Sequence, residues 1–419
     1  MLTPEQKKEL LQVLTDLIRI DSSNPPGNEA GVADYIQELL QKNGIESSRY
    51  ELASGRANVY AELGDGTLPP VLMLSHIDVV PAEGEWKHPA FEAVNDNGTI
   101  YGRGCVDTKH LTAMELMTML WIKRSGARLN RKIILLATAD EEGGSGYGMA
   151  FLEREHPELL PAGCVLSEGG GFVLTQGDAR YRTCTCAEKG RCELTLEASA
   201  EEDGAGPWAT AAGRLLQALK GVCAYQPEQR LTQPTRAFEQ ATGGCLEDRT
   251  LKNLWEYSTK NCLCVNAFEL DAAASDTAKL ELNLQYVDGT TQEEIAQFGK
   301  QLFADRPVQY AIGPCSDGYT CNLDEPFFRA LCEASEKLDP GTKILPMVAL
   351  GRTDGRFIRK NVFGFSPMLE DLPFSEVLKM VHQCNERITE KSLNFGADVI
   401  YQAIWNTAVA GIGAASEEA

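Results

Sequence analysis

Five side chains that could bind metal ions are spread along most of the chain. Each is a histidine or an acidic residue, and imidazole nitrogens and carboxylate oxygens are the ligands that zinc and other divalent cations take in proteins. The set consists of His76, Asp107, Glu142, Glu168 and His382. Two ions need about three protein ligands each, and a shared carboxylate lets the ions lie close together. The set is large enough for two divalent cations with Asp107 as the shared ligand.

Two further acidic residues lie next to these candidate ligands. Asp78 follows His76 by two residues, on the same face of an extended segment, where it could accept a hydrogen bond from the imidazole's other N–H group. Glu141 precedes Glu142, in a site where bound cations would lower the pKa of water to about 7. A carboxylate there suits a general base, which takes the water's proton during attack on an amide carbon and passes it to the leaving nitrogen. The pattern predicts metal-dependent amide hydrolysis.

Each residue also has a structural interpretation when it is considered alone. A Glu-Glu pair is more often a solvated helix end, and His76 by itself could be a hydrogen-bonded core histidine. The other histidines are interpreted as structural or surface residues, namely His88, His110 and His156. Only the joint pattern favours a metal site.

The candidate ligands follow predicted strands. Short apolar runs typical of buried strands occupy residues 71–74, 133–137 and 165–166, and each run leads into one of the candidate ligands. Apolar residues at helical spacing occupy residues 4–18, 29–43 and 111–123. Alternating strands and helices predict an α/β fold with a mostly parallel sheet flanked by helices. Because sites in such sheets form beyond the carboxyl ends of the strands, these endings predict one convergent cluster.

The pattern changes near residue 190, after which the predicted elements follow the order β-α-β-β-α-β. They are a strand at 191–199, a helix at 207–222, strands at 263–270 and 278–287, a helix at 292–304 and a strand at 308–312. This order is that of a small α+β sandwich. We therefore predict a catalytic domain at 1–189 and 311–419 and an inserted domain at 190–310. Residues 226–261 are interpreted as a long irregular or partly helical stretch without a defined element, and a last helix is predicted at about 392–410.

Charge and composition exclude several classes of partner. The formal net charge is -21 and no cluster of lysine and arginine compensates for it, which argues against nucleic acids and acidic membrane surfaces. The first residues show no basic segment followed by an apolar core, and no apolar run reaches the roughly 18 residues needed to cross a membrane. Thirteen cysteines without a secretory signal indicate reduced thiols. We therefore expect a cytoplasmic protein.

Several stretches match, in the same order, those of one family of metallohydrolases. They are IRIDSSNPPGNE at 18–29, SHIDVVPA at 75–82, Trp86 with Pro89, IYGRGCVDTK at 100–109, ATADEEGGS at 137–145, LSEGG at 166–170, GRTDGRFI at 351–358 and VHQCNERI at 381–388. Over nearly its full length the chain resembles the aminoacylase, carboxypeptidase S, glutamate carboxypeptidase and succinyl-diaminopimelate desuccinylase family of di-metal metallopeptidases. The resemblance implies a zinc-peptidase-like catalytic domain with an inserted lid domain that often forms the homodimer contact.

The resemblance also implies a metal ligand set. By position, His76 and Glu168 would bind one ion, Glu142 and His382 the other, and Asp107 both. The cofactors would be two divalent ions, with Zn²⁺ expected and Co²⁺ or Mn²⁺ as alternatives.

It further implies roles around the metal ions. Glu141 would be the general base and Asp78 the partner of His76. Thr353, Asp354 and Arg356 fall in a motif that usually lines the substrate end of the pocket.

The inserted domain departs from the family pattern. Family lids carry a histidine just after their first strand that helps to bind the oxyanion, whereas the stretch here reads SAEEDGAGPWATAAG with Asp203 at that place, and no histidine occurs between His156 and His382. Loss of one oxyanion donor costs on the order of 3 to 4 kcal/mol. The candidate substitutes are Lys189, Asp203, Trp208 or an arginine of residues 226–261. His110 also stands where the family usually has glycine.

Three functional interpretations follow. The first is an enzyme that hydrolyses an N-acyl amino acid or short peptide. The second, suggested by the altered lid, is a catalytically impaired protein that binds metal and a small molecule. The third is a dipeptidase or desuccinylase with a different substrate. The motifs are divided on this point: GRTDGRFI is closest to desuccinylases, whereas SSNPPGNE and GFSP at 364–367 are closer to carboxypeptidase S and aminoacylases.

Overall fold

A computed structural model describes residues 1–160, 163–201, 204–244, 246–270 and 277–409. The α-helices in these ranges are α1 (Pro4–Arg19), α2 (Ala30–Lys42), α3 (Lys109–Ser125), α4 (Met149–Glu155), α5 (Ala211–Ala224), α6 (Gln233–Thr242), α7 (Arg249–Thr259), α8 (Gln292–Phe303), α9 (Pro326–Leu338), α10 (Phe374–Met380) and α11 (Glu390–Ala408). The strands are β1 (Ser47–Glu51), β2 (Ala57–His76), β3 (Val94–Asp96), β4 (Thr99–Tyr101), β5 (Arg131–Thr138), β6 (Cys164–Ser167), β7 (Val173–Gln176), β8 (Ala179–Glu188), β9 (Gly190–Ser199), β10 (Cys262–Leu270), β11 (Thr277–Tyr286), β12 (Gln309–Ser316), β13 (Tyr319–Thr320), β14 (Thr342–Val348), β15 (Val362–Gly364) and β16 (Arg387–Thr389). Within the described residues, none of the helices combines the length and apolar character that a membrane crossing requires.

The chain divides into two compact units. Unit 1 consists of Met1–Cys186, Gln240–Gly244 and Cys321–Ala419, and unit 2 consists of Ala187–Glu239 and Cys245–Thr320. Unit 2 begins before residue 190 and ends after residue 310. The assignment of residues 190–310 as a functional insertion stays a prediction.

In unit 1 the core of the sheet is parallel. Strand β2 runs parallel to both β5 and β6, and β15 runs parallel to β6. Antiparallel strands lie outside this core, with β1 beside β2 and β8 beside β15. The predicted α/β class with a mostly parallel sheet flanked by helices is confirmed.

Two helices show how local sequence defines unit 1. Helix α1 begins with a capping box, in which the Thr3 side chain accepts a hydrogen bond from the Gln6 amide and the Gln6 side chain accepts one from the Thr3 amide. Helix α3 is buried from Lys109 to Ile122 because α1 and α11 both pack against it. It ends at Gly126, whose φ of 67° suits a residue without a side chain.

Unit 2 contains a four-stranded antiparallel sheet in the order β10-β11-β9-β12. Alternate residues of β9 and β11, such as Leu194 and Leu282, share one buried cluster with Leu215 of α5 and Ile295 of α8. The predicted β-α-β-β-α-β order of the inserted domain is confirmed. Helices α6 and α7 occupy much of residues 226–261, to which the sequence analysis assigned no element.

Candidate metal centre

Three of the predicted ligands lie at the carboxyl edge of the parallel strands. His76 is the last residue of β2, Glu168 follows the end of β6, and Glu142 lies in the loop after β5. Since β2 is hydrogen-bonded to both of the other strands, their ends meet at one edge of the sheet. The structure thus brings together residues that are far apart in the sequence.

Asp107 lies between the two histidines. Its Oδ1 atom is 3.1 Å from Nε2 of His76, and its Oδ2 atom is 3.2 Å from Nε2 of His382. Oε2 of Glu168 is 3.4 Å from the same His76 nitrogen, and Oε2 of Glu142 is 3.0 Å from the same His382 nitrogen. The five residues therefore form two groups that share Asp107.

Asp78 fixes both a histidine and the loop that carries the acidic pair. Its Oδ1 atom is 3.4 Å from Nδ1 of His76, on the opposite side of the ring from Asp107. Its two oxygens accept hydrogen bonds from the backbone amides of Glu141 and Glu142, each at 3.1 Å. Glu141 in turn has a carboxylate oxygen within 4.8 Å of ligand atoms of His76 and Glu168.

The electrostatics of this cluster are those of crowded acidic groups held by two imidazoles. Burial raises the pKa of Glu141, Glu142 and Glu168. Hydrogen bonds to Asp107 and then Glu142 raise the pKa of His382 to about 10. Burial thus disfavours the ionised form of these glutamates, and the cluster contains more acidic groups than imidazoles.

The donor atoms fit divalent cations. Imidazole nitrogens and carboxylate oxygens are the ligands that zinc takes, and here they face one another at hydrogen-bonding distances. In addition, Oε1 of Glu142 is buried and has no hydrogen-bond partner among the described residues. An unpaired buried acceptor is costly, and a bound cation would favour the ionised form of this carboxylate.

Comparison with known families identifies the chain. A model described as peptidase family M20/M25/M40 matches residues 72–406, a span that contains the whole cluster. The chain belongs to this family. The family resemblance inferred from the sequence motifs is therefore confirmed.

Two curated proteins illustrate the relationship of this M20/M25/M40 member to its relatives. A probable succinyl-diaminopimelate desuccinylase of Staphylococcus aureus is 32% identical over 178 residues, which are 42% of this chain and 41% of that protein. The match thus spans less than half of the desuccinylase. Aminoacylase-1 of Mus musculus is 24% identical over 94% of both chains.

Solved structures agree on the fold. An M20 family metallo-carboxypeptidase of Sulfolobus solfataricus has a TM-score of 0.68 and 18% identity, over 94% of this chain and 99% of its own. A dinuclear metal-binding peptidase of the M20 family from Bacillus subtilis has a TM-score of 0.61 and 13% identity, over 96% of this chain and 98% of its own. At these identities the likeness establishes the architecture.

Glu386 is a buried residue to which the sequence analysis gave no role. Its carboxylate accepts hydrogen bonds from the backbone amides of Val106 at 2.6 Å and Asp107 at 2.9 Å, and it pairs with Arg103 at 2.9 Å. These contacts hold the backbone that presents the Asp107 carboxylate. The available signal was its position in the VHQCNERI stretch, four residues after His382.

A second polar network is hydrogen-bonded to Asp78 through Asn24. The Asn24 side chain donates hydrogen bonds to Oδ2 of Asp78 at 2.9 Å and Oδ1 of Asp140 at 2.8 Å. Arg56 pairs with Asp140 at 2.6 Å and with Glu29 at 2.8 Å. Asn24 and Glu29 belong to the IRIDSSNPPGNE stretch, so family resemblance was again the only sequence signal for this support.

The segment 353–356, predicted to contact substrate, lies beside the acidic pair. Nη1 of Arg356 is 3.5 Å from Oε1 of Glu141, and Nη2 donates to the Ser145 hydroxyl at 2.8 Å. The Ser145 hydroxyl also donates to Asp354 at 2.6 Å. The segment is tied to the loop that carries Glu141, and its contact with substrate stays a prediction.

The other histidines have different surroundings. Nε2 of His88 is 3.4 Å from Asp96, and the His156 ring packs against Tyr50 with ring centroids 4.7 Å apart. His110 is buried in α3, and burial lowers its pKa to about 4.

Among the candidates to replace the histidine that family lids carry, Lys189, Trp208 and Arg230 lie in unit 2. The Lys189 amine donates to a backbone carbonyl and to a thiol of that unit. Trp208 is 52% exposed, and Arg230 pairs with Glu294. Asp203 lies outside the described residues.

Proposed function

We propose that this protein is a metal-dependent hydrolase that cleaves an amide bond in an N-acyl amino acid or a short peptide. The observation that carries the proposal is the position of Asp107, whose two oxygens lie 3.1 and 3.2 Å from the Nε2 atoms of His76 and His382. A carboxylate placed in this way suits a bridge between two cations. The names of the relatives, a desuccinylase and an aminoacylase, support an acyl amino acid as substrate.

The proposed cofactor is a pair of divalent cations. One would be held by His76, Asp107 and Glu168, and the other by His382, Asp107 and Glu142. The Bacillus subtilis protein of the same fold, named as a dinuclear metal-binding peptidase, supports the number of ions. Mixed imidazole and carboxylate ligands favour Zn²⁺, with Co²⁺ or Mn²⁺ as alternatives.

When bound, such ions supply Lewis acidity, which polarises the substrate carbonyl and eases removal of a proton from water. Glu141 accepts that proton and delivers it to the leaving nitrogen. Its raised pKa, caused chiefly by burial and by Glu168, suits a group that must hold a proton between the two transfers. Asp78 keeps the Glu141 backbone in place through the hydrogen bond at 3.1 Å.

The test is removal and return of metal in the presence of an amide panel. Purified protein is dialysed against a chelator and assayed on N-acetyl and N-succinyl amino acids and on dipeptides, before and after zinc is restored. We expect at least one amide to be hydrolysed by the zinc-loaded protein and not by the metal-free protein. Hydrolysis that persists without metal would contradict the proposal.

A catalytically impaired binding protein is the second candidate. It is favoured by the absence of any histidine between His156 and His382, where family lids provide an oxyanion donor. The same panel separates the two candidates, because this one requires calorimetric binding of metal and of an amide ligand without turnover of any member of the panel.

We also propose that unit 2 provides a homodimer contact. We further propose that the protein acts in the cytoplasm on small molecules and binds neither nucleic acid nor membranes. The net charge of -21 supports the exclusion of nucleic acid. Light scattering after gel filtration tests the dimer, and a monomer at micromolar concentration would contradict it.

A further inference from the structure

Lys189, immediately before β9, has its amine inside unit 2. The residue is only 4% exposed. Its Nζ atom donates to the backbone carbonyl of Lys260 at 2.7 Å and to Sγ of Cys262 at 3.0 Å, and it lies 3.9 Å from the centroid of the Tyr257 ring. These contacts hold the amine directly against the thiol.

Cys262 is more accessible than the amine beside it. It is the first residue of β10, which lies at the end of the strand order in unit 2, and its side chain is partly exposed. Cys262 therefore lies closer to solvent than the buried Lys189.

The pairing of these two groups favours oxidation followed by condensation. Thiolates are the form of cysteine that peroxides oxidise to sulfenic acid. A sulfenic acid condenses with a nearby thiol or nitrogen. Burial lowers the pKa of the Lys189 amine, although Cys262 opposes this shift, so the neutral nucleophilic amine is more populated than in an exposed lysine.

We propose that Cys262 and Lys189 form a covalent sulfur–nitrogen bridge when the protein reacts with hydrogen peroxide. First, the Cys262 thiolate attacks the peroxide, so that an S–O bond forms, the O–O bond breaks and hydroxide leaves; the sulfur is oxidised and the peroxide is reduced. Second, the neutral Lys189 amine attacks the sulfur, forming an S–N bond while the sulfenic hydroxyl leaves with an amine proton as water. The hydroxide takes up the proton that the Cys262 thiol gave up on forming the thiolate, so the protein loses two hydrogen atoms in all and one peroxide becomes two waters.

Cys264 is the competing partner for the oxidised sulfur. It lies two residues further along β10 and is exposed. The rise of a strand places its Cα about 6.6 Å from that of Cys262, near the upper limit of the range for disulfides. The amine at 3.0 Å is already in contact, so the structure favours the bridge to Lys189.

Peptide mapping of the peroxide-treated full chain tests this proposal. Reduced protein is treated with hydrogen peroxide, digested without reductant and analysed by tandem mass spectrometry. We expect a cross-linked pair of peptides containing Lys189 and Cys262, with a mass two hydrogens below their sum, that disappears after reduction with a dithiol. Fragment ions should place the bond at Lys189 and not at Cys184 or Cys186, which precede it closely in the sequence. A disulfide between Cys262 and Cys264 would appear within a single peptide, and the Cys264→Ser variant, which cannot form it, should retain the cross-link.

Two lysine variants provide the matched comparison. Lys189→Arg keeps the positive charge but removes the primary amine, so the cross-link should be lost and labelling of a Cys262 sulfenic acid by dimedone should rise. Lys279→Arg, at a lysine paired with Glu281 on β11, should leave the cross-link unchanged.

Three results would overturn the proposal. They are a disulfide between Cys262 and Cys264 as the product in the natural sequence, oxidised Cys262 without a bond to Lys189, and an unreacted Cys262. The mapping of the natural sequence and of Cys264→Ser decides the matter even if Lys189→Arg does not fold, which circular dichroism would reveal.

Discussion

The Glu386 carboxylate accepts a hydrogen bond from the backbone amide of Asp107 at 2.9 Å. The same oxygen accepts one from Val106 at 2.6 Å, and the residue is fully buried. An acceptor that bonds two successive amides fixes the direction of the peptide between them. The position of Asp107, the proposed shared ligand, therefore depends on a residue outside the five candidate ligands.

Replacement of Glu386 is expected to weaken metal binding. In Glu386→Gln an amide group replaces one carboxylate oxygen, so one set of donors loses its acceptor. Partners that orient metal ligands are typically worth about 10- to 100-fold in affinity, and we expect a loss of that size in zinc titrations against a competing chelator. The matched control is Glu376→Gln, whose side chain is 50% exposed; equal affinity in both variants would show that Glu386 has no such role.

Removal of His382 is expected to remove one of the two proposed ions. His382 lies beside Asp107 and Glu142, the group proposed to bind the second ion, whereas His76 belongs to the group proposed to bind the first. His382→Ala should therefore bind about one equivalent of zinc where the natural protein binds about two, since each ion needs about three protein ligands. Elemental analysis after gel filtration measures the ratio. The control His88→Ala should bind the full complement, and an unchanged ratio in His382→Ala would count against the assignment.

Replacement of Glu141 should lower hydrolysis without changing metal binding. Glu141→Gln keeps the shape of the side chain but cannot accept a proton, so hydrolysis should fall by about 10²- to 10⁴-fold while zinc content stays that of the natural protein. Steady-state kinetics on the best amide of the panel, together with elemental analysis, gives both quantities. Glu153→Gln, at an exposed residue of α4, is the control, and near-normal turnover in Glu141→Gln would exclude Glu141 as the base.

A buried ion pair away from the metal centre should govern the stability of unit 1. The Arg182 side chain is completely buried and pairs with Asp339 at 2.8 Å. Asp339→Asn leaves that charge without its partner, which should lower the free energy of unfolding by about 3 kcal/mol in urea denaturation. The exposed Asp178→Asn substitution should change it little.

The same pair predicts a dependence on pH. Burial would raise the pKa of Asp339, but hydrogen bonds from Thr342, Arg180 and Arg182 outweigh it and lower the pKa below the ordinary 3.8. A depressed pKa means that the stabilisation is present above pH 3.8 and is lost as the pH falls below it. The difference between Asp339→Asn and the natural protein should therefore shrink in acid. A constant difference across this range would contradict the expectation.

The elements with clear periodicity were predictable from the sequence, and those with interrupted patterns were not. Helix α1 was predicted within one residue because its apolar positions repeat at helical spacing. Strand β2 was predicted only at residues 71–74, whereas it runs from Ala57 to His76, since Gly64, Gly66 and two prolines break the apolar pattern and its pairing with β5 shifts register there. Helix α7 was not given bounds although Asp248 caps its first turn, because only Leu251 and Leu254 among its four buried residues are apolar.

The convergence of the candidate ligands was predictable because their chemistry is visible in their residue types and several of them follow predicted strand ends. The residues that hold these candidate ligands in place were not predictable from their types. Glu386 acts on backbone amides that lie some 280 positions earlier in the chain, and Asn24 joins Asp78 to Asp140. Contacts of this kind depend on how distant segments meet, and residue type alone does not specify them.

The two imidazoles of the metal centre differ greatly in their access to solvent, because the His382 side chain is 50% exposed and the His76 side chain 1%. With two ions bound as proposed, an ion at the His382 end would exchange directly with the surrounding solution, whereas an ion at the His76 end would be enclosed and would leave only after local opening. The outer ion should therefore be the first to be lost. Protein treated briefly with a chelator is then expected to be a single species with the inner position filled, not a random mixture.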